Sequence, residues 1–219
     1  MSDISFETNI ENHFAVSVMD RQYQSVTEIN HELISLIEEI ESKDRNTDRN
    51  AVLSNQITTS GGFQTALSMN LFELKAQCNT KLKNQMILPA VRNYLEYVFK
   101  DEADKINPHL VGWANILEKG NWQRPHMHPT HKNLISGCYY VKTPEFKDGA
   151  EGHIEFINPM PISVNHGFSN SRRVKPVEGK LVLFPPFYNH FVHPIKSDVK
   201  RIVIAFDVLP QAPGFKLVF

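Results

Sequence analysis

The sequence has few cysteines, almost no net charge and no long apolar run. Its two cysteines, Cys78 and Cys138, lie in a helix-like and a strand-like segment, so we expect free thiols in a reducing, cytoplasmic compartment. The formal net charge of -1 over 219 residues argues against nucleic acid or an anionic membrane as a partner. No apolar run approaches the roughly 20 residues that span a bilayer, and "MSDISFETNI" lacks the pattern of a signal peptide. Small molecules or other proteins remain as partners.

Proline and histidine are scarce before residue 105 and frequent after it. Of 13 prolines only Pro89 comes earlier, whereas eight of the ten histidines come later. Because the length fits one ordinary globular unit, we predict a single domain over residues 1–219. Its first part, 1–105, is predicted to be mainly helical, and 106–219 to form a strand-rich core. The sequence leaves the oligomeric state open.

The first part carries helical periodicity in two places. Apolar residues recur every three or four positions in "SVTEINHELISLIEEIE", which predicts an amphipathic helix from Val26 to Ile40. The stretch "LFELKAQCNTKLKNQMILPAVRNYLEYVF" predicts two helices, or one helix kinked at Pro89. Between these segments, the polar residues 46–62 predict a loop with at most a short strand.

After residue 105 the apolar runs are short, rich in β-branched and aromatic residues, and separated by turn residues. They read "HLVGWANILE", "ISGCYYVK", "GHIEFI", "KLVLF" and "RIVIAFDV". Short strands without helices between them indicate an antiparallel sandwich or jelly roll. Helices first and strands afterwards make the fold class α+β, with a helical layer packed on one sheet of the jelly roll.

Three histidines lie within six positions in "RPHMHPTH". In extended chain, residues two apart face the same side, so His126 and His128 can point at one metal ion. A third ligand must come from elsewhere, and "FPPFYNHFVHP" offers His190, whereas His193 faces the other side of a strand. For an isolated H-x-H pattern, surface or hydrogen-bonded histidines are about as common as metal ligands, because short motifs match often by chance.

A larger series of motifs resembles a known superfamily. "WANILEKGNWQRPHMHP", "SGCYYV", "GKLVLFPPFYNHFVHPI" and "RIVIAFD" are similar, in this order, to the Fe(II)- and 2-oxoglutarate-dependent oxygenases. The resemblance is greatest to a small family of such oxygenases from marine bacteria and their phages, and it extends over residues 110–208. It implies a double-stranded β-helix and an enzyme, most simply a hydroxylase, that couples decarboxylation of 2-oxoglutarate to succinate with oxidation of a substrate C–H bond by O2. The substrate stays unidentified.

The resemblance also implies the site residues. In prolyl-hydroxylase-like members a glycine precedes the first histidine of an H-x-D pair by six positions, which matches Gly120 and His126 and puts His128 at the aspartate position. The distal histidine matches His190. A three-imidazole face leaves the same open positions as a two-histidine, one-carboxylate face, but it has one less negative charge and suits Zn(II) as well as Fe(II). If His128 is not a ligand, Glu155 is the nearest acidic candidate, although a salt bridge suits it better.

The cosubstrate residues follow from the same comparison. The basic residue that binds the far carboxylate of 2-oxoglutarate matches Arg201, eleven positions after His190. A hairpin at "IKSDVK" would place these two residues on adjacent strands, and arginine can clasp a carboxylate with two parallel hydrogen bonds. One of Tyr139 and Tyr140 can reach 2-oxoglutarate while the other packs outside, and we assign Tyr139. Asn115 and Ser136 are further candidates. Core packing, sheet-edge hydrogen bonds and, for Arg201, a salt bridge are the structural alternatives.

Two other functions stay open at this point. A cupin-like enzyme with three histidine ligands and no 2-oxoglutarate would have no need of Arg201. A non-catalytic jelly-roll binding or structural protein would need neither the arginine nor a metal.

Overall fold

Eleven strands and three α-helices make up the part of the chain that the structure describes. This computed structural model describes residues 15–45, 58–66, 68–129, 131–145 and 149–211. The helices are α1 (Thr27–Arg45), α2 (Gln77–Lys81) and α3 (Leu88–Phe99). The strands in chain order are β1 (Met19–Gln22), β2 (Thr59–Ser60), β3 (Phe63–Gln64), β4 (Pro108–Leu117), β5 (Trp122–His126), β6 (Ile135–Lys142), β7 (Ile154–Ile157), β8 (Ser171–Val174), β9 (Lys180–Phe184), β10 (His190–Val192) and β11 (Arg201–Pro210).

The strands form two antiparallel sheets. The major sheet has six strands in the order β1-β9-β6-β11-β4-β3, and the minor sheet has five in the order β2-β5-β10-β7-β8. Each predicted strand of the second part is present, and most neighbours in the two sheets, such as β9 and β6 or β5 and β10, are not consecutive in sequence, as in a jelly roll. The predicted double-stranded β-helix and α+β class are confirmed. Three short strands of the N-terminal part extend the sheet edges, so this part is not helical alone.

The helices cover the outer face of the major sheet. The predicted helix is α1, whose apolar stripe of Ile29, Leu33 and Ile37 is buried in one cluster with side chains of β6, β9 and β11. The hydroxyl of Tyr139 on β6 donates a hydrogen bond to Oδ1 of Asn30 on α1 at 2.8 Å. Apolar packing and this buried hydrogen bond fix the helical layer to the sheet.

The segment around Pro89 is continuous helix instead of two helices. Between α2 and α3, residues Leu82–Ile87 form a π-helical turn, and the N–H of Leu88 donates to the carbonyl of Lys83, five residues earlier. Pro89 has no N–H to donate to the preceding turn, and the wider turn accommodates its ring without a break. A 3-10 turn, Leu71–Glu73, precedes α2.

The predicted hairpin between His190 and Arg201 is wrong. His190 on β10 pairs with His126 and Phe156 in the minor sheet, whereas Arg201 on β11 pairs with Leu117 in the major sheet. The connecting residues cross between the sheets, because Ile195 exchanges backbone hydrogen bonds with the turn after β4 instead of folding back on β10. The two residues therefore lie on sheets that face each other.

Two remaining expectations concern the loop and the membrane. Of the loop predicted at 46–62, residues 46–57 lie outside the described residues, and the short strand is β2. No helix among the described residues is long and apolar enough to cross a membrane.

Candidate metal centre

Three histidines meet at one end of the space between the sheets. His126 is the last residue of β5, His128 follows two residues later, and His190 begins β10 directly opposite His126. One ring nitrogen of each lies within 4.8 Å of the other two. Within the described ranges, no other group of three or more His, Cys, Asp or Glu side chains could hold a metal. The structure brings together the three residues that the sequence selected, and their ligation of a metal stays a prediction.

Hydrogen bonds set which nitrogen of each imidazole is free. Nδ1 of His126 lies 2.6 Å from the carbonyl of Arg124, and Nδ1 of His190 lies 2.8 Å from the carbonyl of Tyr188. Nδ1 of His128 lies 2.7 Å from Oδ1 of Asp207. Carbonyl and carboxylate oxygens only accept, so each Nδ1 carries the proton and each Nε2 keeps its lone pair. Outer acceptors of this kind orient the histidine ligands of metal sites.

The surroundings of His126 and His190 favour the neutral form of these two imidazoles. Burial lowers the pKa of His190 well below its usual value, and the neighbouring His126 and His128 lower it further. Burial also lowers the pKa of His126, against the hydrogen bond to the Arg124 carbonyl, which raises it. A neutral imidazole is the form that binds metal ions.

Four other histidines of the strand-rich part, His131, His153, His166 and His193, are not part of this cluster. His193 donates from Nε2 to Oε2 of Glu155 at 2.5 Å, on a side of the minor sheet away from the cluster. His131 and His166 are exposed, and His153 bonds the Glu151 carbonyl. Glu155 is therefore not a ligand of the cluster. It accepts hydrogen bonds from Arg173, Ser171 and His193, which is the salt-bridge role expected for it.

A cavity of about 410 Å³ extends from the histidines between the sheets. Alternate residues of β11 line it, namely Arg201, Val203, Ala205 and Asp207, and its opposite wall includes His126 and His190. Residues two apart on a strand share a face, so one side of β11 supplies a whole wall. The volume is in the range of small-molecule sites.

Arg201 is a buried cation with no counterion in the described part of the chain. It is 2% exposed, its Nε forms no hydrogen bond, and it makes no ion pair with the described residues. Its guanidinium carbon lies 5.1 Å from the ring centre of Tyr140, whose buried hydroxyl forms no hydrogen bond of ordinary geometry with the described residues. Asn115 is 2% exposed, lines the cavity, and its Oδ1 accepts no hydrogen bond from the described residues. Unsatisfied buried polar groups around one cavity indicate a polar ligand.

Two cosubstrate assignments are wrong. Tyr139 points to the helical layer, where its hydroxyl donates to Asn30, and the tyrosine beside Arg201 is Tyr140. Ser136 does not line the cavity, and its hydroxyl donates to Oδ1 of Asp207 at 2.7 Å. Successive residues of β6 face opposite sides, so the choice between two adjacent tyrosines depends on which side faces the cavity.

Asp207 is the site residue that sequence reasoning missed. It is the hydrogen-bond acceptor of His128 and lines the cavity. A signal was present, because Asp207 is an acidic residue inside the apolar run "RIVIAFDV". It lies an even number of positions after Arg201 and therefore on the same face of the strand. A buried carboxylate is costly unless it is hydrogen-bonded, so such a residue suggests a site.

Comparisons with known proteins agree with this geometry. Residues 112–207 match the model of the family described as "Putative 2OG-Fe(II) oxygenase". A prolyl-4-hydroxylase from Pseudomonas putida is similar in structure, with a TM-score of 0.61 and 12% identity over 89% of this chain and 93% of that one. HygX from Streptomyces hygroscopicus, solved with nickel and 2-oxoglutarate bound, has a TM-score of 0.57 and 11% identity over 90% and 83%.

A viral enzyme shares the fold as well. The collagen prolyl hydroxylase of Paramecium Bursaria Chlorella virus-1, in its 2-oxoglutarate complex, has a TM-score of 0.53 and 14% identity over 89% of this chain and 96% of that one. At these identities the structural likeness establishes the fold. No curated protein matches the chain in sequence.

The family match covers the strand-rich part of the chain, and the solved structures share its fold. Residues 112–207 are similar in sequence to a family described as Fe(II)- and 2-oxoglutarate-dependent oxygenases, and the described residues have the fold of such enzymes. The description of the family names Fe(II) and 2-oxoglutarate.

Proposed function

We propose that this enzyme hydroxylates an unidentified small-molecule or peptidyl substrate, with His126, His128 and His190 as metal ligands and Arg201 as the 2-oxoglutarate anchor. The observation that carries the proposal is the buried, unpaired guanidinium of Arg201 in the cavity that the three imidazoles border. A buried charge is tolerated when an opposite charge joins it, and a dicarboxylate supplies that charge. The prolyl hydroxylases among the similar structures support hydroxylation as the outcome.

The donor set fits Fe(II) and 2-oxoglutarate. Three neutral nitrogens on one side of a metal leave open positions for the cosubstrate and for O2. When bound, Fe(II) and 2-oxoglutarate supply the O2 chemistry that oxidises a substrate C–H bond, with release of succinate and CO2.

The chain's own residues bind and orient in this scheme. Arg201 would hold the far carboxylate of 2-oxoglutarate, since its guanidinium can make two parallel hydrogen bonds, and would so orient the cosubstrate in the cavity. Tyr140, beside the guanidinium, could offer a hydroxyl donor, and the amide of Asn115 is a polar group on the cavity wall. Val203, Ala205 and Trp113 provide apolar walls that keep water away from the reacting atoms.

The alternatives differ in what they require of Arg201. A three-histidine metalloenzyme without 2-oxoglutarate would leave the guanidinium buried without a counterion, which costs stability for no purpose. A Zn(II) enzyme is compatible with three imidazoles, but the family match favours Fe(II).

Turnover of the cosubstrate tests the proposal. Purified protein is loaded anaerobically with Fe(II), mixed with carboxyl-labelled 2-oxoglutarate and air, and assayed for labelled CO2 and succinate in equal amounts. We expect Fe(II)-dependent release even without the true substrate, and its loss in His190→Ala. A protein that binds metal but neither binds nor consumes 2-oxoglutarate would contradict the proposal and favour the cupin-like alternative.

A further inference from the structure

We infer that Asp207 is a positioning residue of the metal site, and that its carboxylate supplies, through His128, the negative charge which the H-x-H motif lacks. The inference rests on the proposed function, because it takes His128 as a metal ligand. Asp207 is not itself a proposed metal ligand. It would affect the metal only through its hydrogen bond to the imidazole of His128.

The contact between the two side chains is short and shielded. Oδ1 of Asp207 lies 2.7 Å from Nδ1 of His128, and the side chains are 15% and 8% exposed. A hydrogen bond to a charged acceptor is about twice as strong as a neutral one, and low local dielectric strengthens it further. Asp207 therefore sets the ring orientation of His128 and aims its Nε2 at the other two imidazoles.

A second hydrogen-bond chain holds the carboxylate itself. Ser136 donates from Oγ to the same Oδ1 at 2.7 Å, and Nδ2 of Asn133 donates to Ser136 Oγ at 3.0 Å. Oδ1 of Asn133 accepts from the backbone N–H of Val208, the residue after Asp207, at 3.3 Å. Asp207 lies on β11, Ser136 on the neighbouring β6, and Asn133 in the segment before β6. The carboxylate oxygen Oδ1 of Asp207 is therefore held by His128 and by Ser136.

The three imidazoles differ in their outer acceptors. His126 and His190 each donate to a neutral backbone carbonyl, and His128 alone of the three donates to a carboxylate. An anionic acceptor pulls on the Nδ1 proton and makes Nε2 a stronger donor to the metal. The charged acceptor thus serves the one position where the superfamily pattern has a carboxylate ligand.

The chain offers a matched control for removing this charge. Glu155 is also a buried carboxylate, 8% exposed in its side chain, that accepts a hydrogen bond from a histidine, His193. Its histidine is not part of the metal cluster. Glu155→Gln and Asp207→Asn therefore make the same chemical change at two histidine–carboxylate pairs, of which only one faces the metal.

Metal affinity and potential test the inference. Anaerobic Fe(II) titration and the Fe(III)/Fe(II) potential are measured at neutral pH for the wild type, Asp207→Asn and Glu155→Gln. We expect Asp207→Asn to weaken Fe(II) binding by about 10- to 100-fold, as loss of an outer-shell partner does. Fe(III) binding should weaken about tenfold more, which corresponds to a potential about 59 mV higher. Glu155→Gln should change neither quantity.

A double substitution separates charge from mere packing. In a His128→Asp background the carboxylate binds the metal directly, so adding Asp207→Asn should change the Fe(II) affinity less than about threefold, because the outer charge no longer acts through an imidazole. An undiminished loss in that background, or an unchanged affinity and potential in Asp207→Asn alone, would overturn the inference.

Folding and the underlying proposal are checked separately. If Asp207→Asn does not fold, Ser136→Ala replaces it, with an expected loss of about 2- to 10-fold in Fe(II) affinity from one missing hydrogen bond. Unchanged affinity in that variant also overturns the inference. A wild type that binds no Fe(II) refutes the proposed function, whereas a wild type that binds Fe(II) with an Asp207→Asn variant of equal affinity refutes only the role of Asp207.

Discussion

At the residue scale, a buried guanidinium without an ion-pair partner costs an unliganded protein free energy. Among the described residues Arg201 is in that position, with the Tyr140 ring and the cavity beside its charged group. We therefore expect the burial of Arg201 to serve ligand binding and not folding. Sites of this kind trade stability for function.

Replacing Arg201 with methionine should weaken 2-oxoglutarate binding without lowering the stability of the ligand-free protein. We expect Arg201→Met to raise the 2-oxoglutarate Kd by about 100- to 10,000-fold, because two charge-assisted hydrogen bonds of about 1.5–3 kcal/mol each are lost. The melting temperature of the ligand-free protein should stay equal or rise, and Fe(II) content should stay unchanged. Calorimetric titration of 2-oxoglutarate and a thermal scan measure these effects.

Two variants accompany this experiment. Arg201→Lys should retain only part of the 2-oxoglutarate affinity, because the lysine ammonium cannot make the two parallel hydrogen bonds of a planar guanidinium. Tyr139→Phe should lower stability by about 1 kcal/mol through the lost bond to Asn30 but leave 2-oxoglutarate affinity unchanged. Equal 2-oxoglutarate affinity in wild type and Arg201→Met would remove the main support for the anchor role.

The histidines make a second prediction at this scale. His126→Ala, His128→Ala and His190→Ala should each lower Fe(II) affinity by more than about 100-fold, since a ligand costs more than an outer-shell partner. His131→Ala and His193→Ala should keep the metal, and so should His128→Asp, which adds a negative ligand. Metal content after anaerobic loading, measured by mass spectrometry, distinguishes them. Full occupancy in His128→Ala alone would mean a two-histidine site.

At the element scale, close packing of the helical part on β4 depends on one glycine. A Cβ on Gly112 would lie 2.3 Å from the ring of Phe72, which is 5% exposed and in edge contact with Phe206 at 6.0 Å between ring centres. The ring is enclosed and cannot swing away. The absence of a side chain at Gly112 lets the turn before α2 lie directly on the sheet.

Gly112→Ala should therefore destabilise the protein by about 1–3 kcal/mol, the cost of overpacking a core. Adding Phe72→Leu should recover part of that loss, because a smaller side chain removes the clash, and the two changes should be non-additive by more than about 0.5 kcal/mol. Urea unfolding of the two single variants and the double variant measures this coupling. Strict additivity would show that the contact is not the cause.

At the scale of the whole molecule, acid stability depends on a carboxylate that joins three strands of the minor sheet. Burial raises the pKa of Glu155, but hydrogen bonds from Arg173, Ser171 and His193 outweigh it and lower the pKa to about 2, from an ordinary 4.5. The folded state thus favours the charged form. This stabilisation is present in full above the unfolded pKa and is lost as the pH falls from about 4.5 to 2.

The comparison with Glu155→Gln isolates this contribution. At pH 6 to 7 the variant should be less stable by about 1–3 kcal/mol, since bonds to a charged acceptor are lost. Towards pH 2 the wild type protonates Glu155 and the difference should shrink to near zero. Thermal scans of both proteins from pH 7 to 2.5 measure it, and a difference that does not depend on pH would contradict the assigned pKa.

Local pattern alone determined the elements and most of the metal site. The helical period placed α1, and the short apolar runs placed β4, β6, β7, β9 and β11. The H-x-H spacing selected His126 and His128, and the family resemblance added His190. These features depend on residues near one another in sequence or on a chemically rare residue type. Helices and strands repeat their faces every 3.6 and 2.0 residues because of backbone geometry, so these periods are visible in the sequence without any tertiary information.

Only the tertiary structure decided which side of each strand faces the cavity. Strand β6 is buried on both faces because helices cover the outer face of the major sheet, so its alternation does not distinguish Tyr139 from Tyr140, or a cavity role for Ser136 from a supporting one. The sequence likewise does not indicate whether residues 193–200 form a hairpin with β10 or cross to the other sheet. The meeting of His128 with Asp207, 79 positions apart, depends on that long-range pairing.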